Sequence, residues 1–253
     1  MEKVSIYYLR TSDLAKAVGI HPNTVRLYVD WGLLPPVEKS PSGYRLFTQR
    51  HLECLRLARM IYAEPYPGKH LRSTGKAILM AVVKDDWGGA LEKAFQHWSA
   101  VKSELTHAET ALMLLDHWVE GLPTEPFQVP LSIAEVSALL HVSRDVIRNW
   151  ERNGLITIPR NSYNRYRIFG TTEIGRMRVI RMLSQAGYSH MAILRMFIEL
   201  EGGAKDDLRH VLDTPRPDED VFMASDRWLS TLHEHELRAE QIIWFIKDHL
   251  ETM

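Results

Sequence analysis

Two short stretches of the chain carry side chains that can form paired hydrogen bonds at helical spacing. The first holds Asn23 and Arg26, and the second holds Arg144, Arg148 and Asn149. A planar amide donates and accepts at once, and a guanidinium donates parallel hydrogen bonds, so both groups suit the edges of nucleotide bases. Residues three and four apart share one face of a helix. If helices carry these stretches, they predict contacts to a nucleic acid.

The two stretches belong to an internal repeat. Segment 26–33 aligns with segment 148–155 at an offset of 122, with Arg, an aromatic residue, Gly and Leu at matching positions. The same offset pairs segment 44–47 with segment 166–169 without a gap. An ungapped match over about fifty positions indicates that the chain contains one structural unit twice.

Each copy has the pattern of two short helices followed by a small hairpin. In the first copy, Ser12 is expected to cap one helix and Gly32 to end the next. In the second copy, Ser143 and Gly154 are expected to begin and end the second helix. About eleven residues rich in Pro, Ser and Asn follow each of these glycines and precede Tyr-Arg-hydrophobic-Phe, which predicts a β wing.

Several motifs in this order resemble a known family. The first copy carries Thr-Ser-Asp-Leu-Ala-Lys-Ala-Val-Gly-Ile from residue 11 and Gly-Tyr-Arg-Leu-Phe from residue 43. The second carries Val-Ser-Arg-Asp-Val-Ile-Arg-Asn-Trp-Glu-Arg-Asn-Gly-Leu-Ile from residue 142. Both resemble the winged-helix DNA-binding domain of the MerR family of bacterial transcription regulators. The resemblance implies binding to double-stranded DNA and control of transcription, with RNA polymerase as a partner at the promoter.

The resemblance and the helical pattern together define candidate DNA contacts. In a helix-turn-helix, the second helix enters the major groove with its N-terminal residues at the base edges. The candidates for base contact are His21, Asn23, Thr24, Leu27, Arg144, Asp145, Arg148 and Asn149. The candidates for phosphate contact or for bracing the helix are Arg26, Tyr28, Arg148 and Trp150. The candidates on the wings, for backbone or minor-groove contact, are Lys39, Tyr44, Arg45, Arg160, Arg165, Tyr166 and Arg167.

Structural roles compete with some of these assignments. Packing against the core is the favoured interpretation for the wing aromatics, which are Tyr44, Phe47, Tyr166 and Phe169. Ion pairing within the fold is an alternative role for Arg26 and Arg148, with Asp13, Asp30 or Glu151 as partners. The copies differ at nearly every base-contact position. The sequence therefore predicts an operator with two unlike half-sites.

Charge is distributed unevenly, although the formal net charge is −1. Residues 1–60 hold nine Lys and Arg against five Asp and Glu, and residues 131–182 hold nine against four. Residues 86–121 hold two against six, and residues 183–253 hold seven against fourteen. Basic units joined by acidic helices fit a protein that contacts phosphate through two patches.

Each repeat leads into a long amphipathic segment. Residues 87–121 place apolar side chains at steps of three and four, and residues 219–249 do so less regularly. This spacing is typical of a coiled-coil seam. In the family that the chain resembles, such a helix pairs antiparallel with its twin in a dimer. Because both helices lie in one chain here, we expect a monomeric pseudo-dimer, with a homodimer as the alternative.

The predicted fold is mainly α, with two winged helix-turn-helix domains, each with a small β wing, and two long helices in an intramolecular antiparallel coiled coil. The expected domains are a first winged domain at 1–85, a coil helix at 86–121, a proline-rich linker at 122–130, a second winged domain at 131–202, and a loop with the second coil helix at 203–253. The start lacks a signal peptide and no apolar run is long enough for a membrane span, so a cytoplasmic protein without a membrane partner is expected.

Signals for effectors, metals and catalysis are weaker. The candidates for an aromatic pocket that binds a small-molecule effector are Trp98, Trp118, Trp228 and Trp244, although their heptad spacing favours core packing. Cys54 is the sole cysteine and is expected to be buried, and no metal or cofactor is expected, unlike in the metal-sensing members of the family. An enzyme is not expected, because a phosphate-binding loop and a nucleophile–base pair are lacking. The alternative functions are an excisionase-like or architectural DNA-binding factor and a protein-interaction module built from degenerate helix-turn-helix domains.

Overall fold

The fold is described here from a computed structural model. The residues that the structure describes are 8–64, 68–120, 130–203, 207–215 and 224–252. The chain divides into two compact units, the first formed by Met1–Lys102 with Glu234–Met253 and the second by Ser103–His233. Nearly all of the predicted linker at 122–130 lies outside the described residues.

The described chain is mainly helical, as predicted. Its helices in chain order are α1 (Thr11–Ala17), α2 (Pro22–Asp30), α3 (Gln49–Ile61), α4 (Gly68–Val83), α5 (Trp87–Val119), α6 (Ile133–Leu140), α7 (Arg144–Arg152), α8 (Thr171–Gln185), α9 (His190–Glu201), α10 (Leu208–Asp213) and α11 (Trp228–Thr252). Strands β1 (Glu38–Lys39) and β2 (Arg45–Leu46) form a two-stranded antiparallel sheet.

The first unit contains the predicted helix-turn-helix in α1 and α2. Pro22 occupies the first turn of α2, where its missing N–H has no helical partner, and Gly32 follows the helix with a φ of +67°. The prediction that Ser12 caps α1 is wrong, because the helix already begins at Thr11. The carboxylate of Asp13 instead accepts the backbone N–H of Arg10 at 2.7 Å.

The same unit contains the first part of α5 and most of α11, which run antiparallel. The ring of Trp87 stacks on that of His249 with centroids 3.5 Å apart, and the Lys102 ammonium lies 2.5 Å from the Glu236 carboxylate. The residues of α11 that join the core of the first winged domain are Ile242, Ile243 and Ile246. Packing of the two long helices within one chain is therefore present in this unit.

The second unit repeats the helix-turn-helix in α6 and α7. Ser132 and Glu135 form a reciprocal capping box at the start of α6, and Ser143 accepts the Val146 N–H at 3.2 Å to cap α7, as predicted. Gly154 follows α7 with a φ of +74°. The turn residues of the two copies thus have the same backbone conformation.

The segment before the last helix differs from the prediction of a loop followed by a helix from residue 219. The six-residue helix α10 lies within that segment, residues 224–227 form a 3₁₀ helix, and α11 begins only at Trp228. The buried guanidinium of Arg195 donates to the backbone oxygens of Val211, Leu212 and Asp226. The Arg195 guanidinium, which is distant in sequence from these carbonyl groups, therefore holds α10 and the 3₁₀ helix in place.

Burial follows the predicted seams. The described seam residues of α5 from Trp87 to Val119 are buried or half-buried, and those of α11 from Trp228 to Ile246 are buried, including His235.

Cys54 is also fully buried, as predicted. Among the described residues, no helix is both long and apolar enough to span a membrane.

Candidate nucleic-acid interface

The second helix of each helix-turn-helix, α2 in the first copy and α7 in the second, is called the recognition helix below. The first recognition helix, α2, is capped at its N-terminus by a histidine side chain. The Nδ1 atom of His21 accepts the backbone N–H of Asn23 at 3.1 Å, and the residue is exposed. In a neutral imidazole one nitrogen accepts while the other carries the proton. The cap therefore leaves Nε2–H of His21 as a donor at the N-terminal end of α2.

Asn23 and Arg26 form a linked pair on the exposed face of α2. The Arg26 guanidinium donates to Oδ1 of Asn23 at 2.8 Å. The amide keeps both N–H donors and a second lone pair on its oxygen, so it can still donate and accept toward a base edge. Arg26 is therefore held by an uncharged neighbour, and the alternative partners considered for it, Asp13 and Asp30, contact other groups.

The second recognition helix, α7, repeats this geometry with a carboxylate. Arg148 donates to Oδ1 of Asp145 at 2.9 Å, and both side chains are exposed. These two positions match Asn23 and Arg26 at the repeat offset of 122. Glu151, the alternative partner for Arg148, pairs elsewhere. The arginine of each pair thus donates to the side chain three residues before it, which is the amide of Asn23 in the first copy and the carboxylate of Asp145 in the second.

The other candidate residues of the two recognition helices differ in exposure. Thr24 is half-buried and Leu27 is 45% exposed, which leaves an apolar surface beside the Asn23 pair. Arg144 is exposed at the start of α7, whereas Asn149 is half-buried and accepts the side-chain N–H of Asn153 at 2.8 Å. Only part of the predicted set is therefore fully accessible.

The aromatic residues of the recognition helices lie in the core. Tyr28 is 7% exposed and Trp150 is 3% exposed. Of the two roles considered for them, bracing the helix agrees with this burial, because a buried ring anchors a helix but leaves little surface for phosphate.

The two wings differ in register. In the first, Lys39 pairs with Arg45, and Gly43 at the hairpin tip has a φ of +83°. In the second, Arg160 forms a bridge with Arg167, which is a shift of one residue relative to the repeat. Arg165, the counterpart of Gly43, has a φ of +62°, a conformation that favours glycine.

An acidic residue on each recognition helix pairs with the wing arginine of the same copy. In the first copy, Arg45 lies 3.9 Å from Asp30. In the second, Nε and Nη2 of Arg167 both donate to Glu151, at 2.8 and 2.6 Å, and Arg160 lies 3.5 Å from the same carboxylate. The second wing is therefore held to its recognition helix more tightly than the first.

The wing tips carry exposed aromatic and basic side chains. Phe47 and Phe169 are fully buried, as expected for packing residues, but Tyr44 and Tyr166 are 75% and 74% exposed. The packing interpretation is therefore wrong for these two tyrosines. The basic wing residues that are exposed are Lys39, Arg160 and Arg165.

The four tryptophans proposed for an effector pocket each have local contacts. In the first unit, Trp98 lies beside the Lys102 ammonium and Trp244 is 69% exposed. In the second unit, Trp118 packs edge-on against Phe197, and the indole of buried Trp228 donates to the Ala186 carbonyl at 2.6 Å. Within the described parts of the chain, none of these tryptophans lines the cavity beside Trp31, the one beside His107 or the one beside His235.

Two features were not predicted from the sequence. The first is the pair of ion pairs between the wing arginines and the recognition helices, Arg45 with Asp30 and Arg167 with Glu151, called the wing clamps below. The second is the different register of the second wing. The exchange of Gly43 for Arg165 between the copies was the available signal, because a glycine with positive φ often sets the tip of a hairpin. Among the described residues, no cluster of His, Cys, Asp or Glu is suited to hold a metal ion.

The fold and the exposed polar residues define a protein with two winged helix-turn-helix domains in tandem. The chain belongs to the MerR family: the model described as MerR HTH family regulatory protein matches residues 9–66 and 131–199, together half of the chain. The two matches coincide with the two copies of the repeat.

Individual relatives are similar over shorter segments. The HTH-type transcriptional regulator CueR of Escherichia coli O6:H1 is 41% identical over 51 residues, which is 20% of this chain and 38% of that protein. The protein of the same name from Vibrio cholerae serotype O1 is 25% identical over 116 residues, 46% of this chain and 81% of that protein. The chain thus spans less than two fifths of the length of the Escherichia coli relative. No solved structure gives a significant match.

Proposed function

We propose that this chain is a sequence-specific regulator of transcription that binds double-stranded DNA. The observation that carries this proposal is the repeated pair at the exposed N-terminal end of each recognition helix, Asn23 with Arg26 and Asp145 with Arg148. In a helix-turn-helix this end of the second helix faces the base edges. Two such ends with different chemistry fit DNA sites of different sequence.

The two pairs predict different base preferences. The Asn23 amide can donate and accept together, which suits the N6 and N7 atoms of adenine. The Asp145 carboxylate only accepts, which suits the N4 amino group of cytosine. In each pair the arginine orients its neighbour and adds positive charge toward a phosphate or a guanine. The operator would then contain two unlike half-sites.

A single-chain pseudo-dimer is the proposed assembly. Each compact unit contains one winged domain together with a section of both α5 and α11. In other members of the family, by resemblance, the corresponding helices come from two subunits. A chain that supplies both helices would bind its operator as a monomer, without the symmetry that makes half-sites identical.

Promoter distortion, with RNA polymerase at the same promoter, is the mechanism that the family resemblance suggests. Such a regulator changes transcription by bending or untwisting the DNA, and the energy of that deformation depends on the sequence deformed. Arg45 and Arg167 on the wings are the proposed contacts to the backbone. Because both are held by carboxylates, DNA phosphates would compete with Asp30 and Glu151 for them.

Selection of bound sequences from a random duplex pool tests the proposal most directly. We expect one asymmetric consensus and binding that weakens steeply as salt rises, because phosphate contacts release counterions. The Arg148→Ala variant should lose affinity, and Lys84→Ala, which removes the same charge at an exposed residue outside both helix-turn-helix motifs, is the matched control. Absence of any enriched sequence, with a flat salt response, would instead support a protein-interaction module. A palindromic consensus would contradict the proposed asymmetry.

A further inference from the structure

The first unit contains a cavity of about 460 Å³ between the C-terminal end of α2 and the first turns of α4. Its volume lies in the range typical of small-molecule sites. The residues that carry the inference are Tyr28, Trp31, Tyr62, Lys69, Arg72 and Lys76. We propose that this cavity binds a small planar aromatic molecule that carries a carboxylate or a phosphate.

One wall of the cavity is aromatic. The Tyr28 ring stacks on that of Trp31 at 6.2 Å between centroids, and it meets the Tyr62 ring edge-on at 6.4 Å. Trp31 is 64% exposed although it belongs to this cluster. Aromatic surface beside a cavity gives a flat ligand a face to stack on, and such pairs gain energy beyond area burial.

A second part of the lining is cationic. Lys69, Arg72 and Lys76 follow one another at steps of three and four on α4 and therefore share one face. The Arg72 guanidinium lies 5.9 Å from the centre of the Tyr62 ring, so the cationic and aromatic walls meet there. Among the described residues, the charged ones that line the cavity are all basic. An anionic group on the ligand would complete this arrangement through charge-assisted hydrogen bonds.

The second copy of the repeat shows that the winged fold does not require these residues. At the offset of 122, Trp31 is replaced by Asn153, Lys69 by Met191 and Lys76 by Ile198. In contrast, the buried Leu33 keeps a buried leucine as its counterpart. The packing position is thus maintained, whereas Trp31, Lys69 and Lys76 have no aromatic or basic counterpart in the second copy.

The position of the cavity favours a ligand over the DNA backbone as its occupant. Trp31 lies eight residues beyond Asn23, or about 12 Å along the axis of α2, away from the end that faces bases. A backbone phosphate also offers no ring to the Trp31 surface. A ligand that touches α2 and α4 together would couple its own binding to the orientation of the recognition helix. This regulatory step rests on the proposed DNA binding, whereas ligand binding itself does not.

Calorimetric titration of the full chain without DNA tests the site. The probes are 2-naphthoate, indole-3-carboxylate and phenyl phosphate, with 2-naphthamide as the neutral control and inorganic phosphate as the control without a ring. We expect saturable 1:1 binding of at least one aromatic anion, at least about tenfold tighter than either control. Failure of all three anions to bind, or equal binding of 2-naphthamide, would overturn the proposal.

Substitutions copied from the second unit locate the site. Trp31→Asn, and Lys69→Met together with Lys76→Ile, should each weaken probe binding at least about tenfold. Lys16→Ile with Lys84→Met, which removes the same charge at exposed lysines outside the cavity, should leave probe binding unchanged. Circular dichroism checks that each variant is folded. Unchanged probe binding in both cavity variants would show that the ligand binds elsewhere.

DNA titrations separate this inference from the proposed function. If the chain binds probe but no DNA, the site stands and the regulatory proposal fails. If the Lys69→Met and Lys76→Ile variant loses DNA affinity while no probe binds the parent chain, the surface contacts the DNA backbone and the ligand site is overturned. If both hold, saturating probe should change operator affinity in the parent chain but not in the Trp31→Asn variant.

Discussion

At the scale of single residues, the informative difference is the amide of Asn23 against the carboxylate of Asp145. Both accept a hydrogen bond from an arginine three residues later in the same helix. The double variant Asn23→Asp with Asp145→Asn keeps the net charge and exchanges the two groups. We expect it to exchange the preferred base pair at one position of each half-site, by about 1–3 kcal/mol per position. Selection from a random duplex pool measures this.

The single variants separate specificity from charge. Asp145→Asn removes a negative charge near the expected phosphates and should raise affinity for all sequences, whereas Asn23→Asp should lower it. Glu240→Gln removes a carboxylate from an exposed site on α11 and should change neither preference nor affinity. An unaltered consensus in the double variant would show that these side chains do not contact bases.

Residue exposure was predicted only in part from the sequence. The heptad pattern correctly indicated burial along α5 and α11, and the favoured packing role was correct for Phe47 and Phe169. The same reasoning failed for Tyr44 and Tyr166, because a tyrosine at a wing has similar local sequence whether its ring turns inward or outward. Both rings turn outward although the two wings differ in register, so the choice depends on contacts of the folded wing that a local sequence pattern does not specify.

At the scale of elements, the second wing contains a residue in an unfavourable backbone conformation. Arg165 has a φ of +62° where the first wing has a glycine. Arg165→Gly should stabilise the second unit by up to about 1 kcal/mol, because the left-handed conformation disfavours a side chain. Thermal unfolding measures this gain. If Arg165 contacts DNA, the same variant should bind its operator more weakly, and the Gly43→Arg variant should lose stability.

The two wing clamps should differ in strength. Arg167 makes two short hydrogen bonds with the half-buried Glu151, whereas Arg45 lies 3.9 Å from an exposed Asp30. Arg167→Ala should lower the free energy of unfolding by about 1–2 kcal/mol, and Arg45→Ala by less than about 0.5 kcal/mol. Chemical denaturation compares them. Equal losses would contradict the difference in clamp geometry.

The contact between α4 and α5 contains a buried histidine that should make stability depend on pH. His97 is 6% exposed and shares a 2.7 Å hydrogen bond with Thr74. Burial, with smaller contributions from His235 and His70, lowers the pKa of His97 from 6.5 to about 4. The unfolded chain therefore takes up a proton that the folded chain does not.

The direction of that pH effect follows from the lowered pKa. Well above pH 6.5, His97 is neutral in both the folded and the unfolded state and does not change their relative stability. As pH falls from 6.5 toward 4, the folded state loses about 1 kcal/mol per unit relative to the unfolded state. His97→Gln should make the melting temperature depend less on pH over this range. His233→Gln, at an exposed position on α11, should not change the pH dependence. A parent chain equally stable at pH 7 and pH 5 would contradict the prediction.

Elements with a strong periodic pattern were predictable, and those held by remote contacts were not. The repeat gave both helix-turn-helix motifs and the seam predicted α5 closely. The short helix α10 was missed because it depends on Arg195, whose guanidinium binds carbonyls sixteen or more positions away. Local sequence patterns do not indicate which distant residue will contact a segment.

At the scale of the whole molecule, the assembly proposal predicts a mass. Sedimentation equilibrium should give a species of 29.3 kDa, and the complex with operator should contain one chain per duplex. A stable dimer that binds with two chains per duplex would contradict the pseudo-dimer, because four winged domains would then be present.

The composition of the first unit's core also affects when this unit can fold during translation. It is completed by Ile242, Ile243 and Ile246, which are translated long after the helix-turn-helix that they support. Domains commonly fold in the order in which they are translated. Here the nascent amino-terminal winged domain keeps apolar surface uncovered until residue 246 has been translated. A premature stop near residue 233 would therefore remove part of the core that supports α1 and α2, about two hundred positions away in sequence.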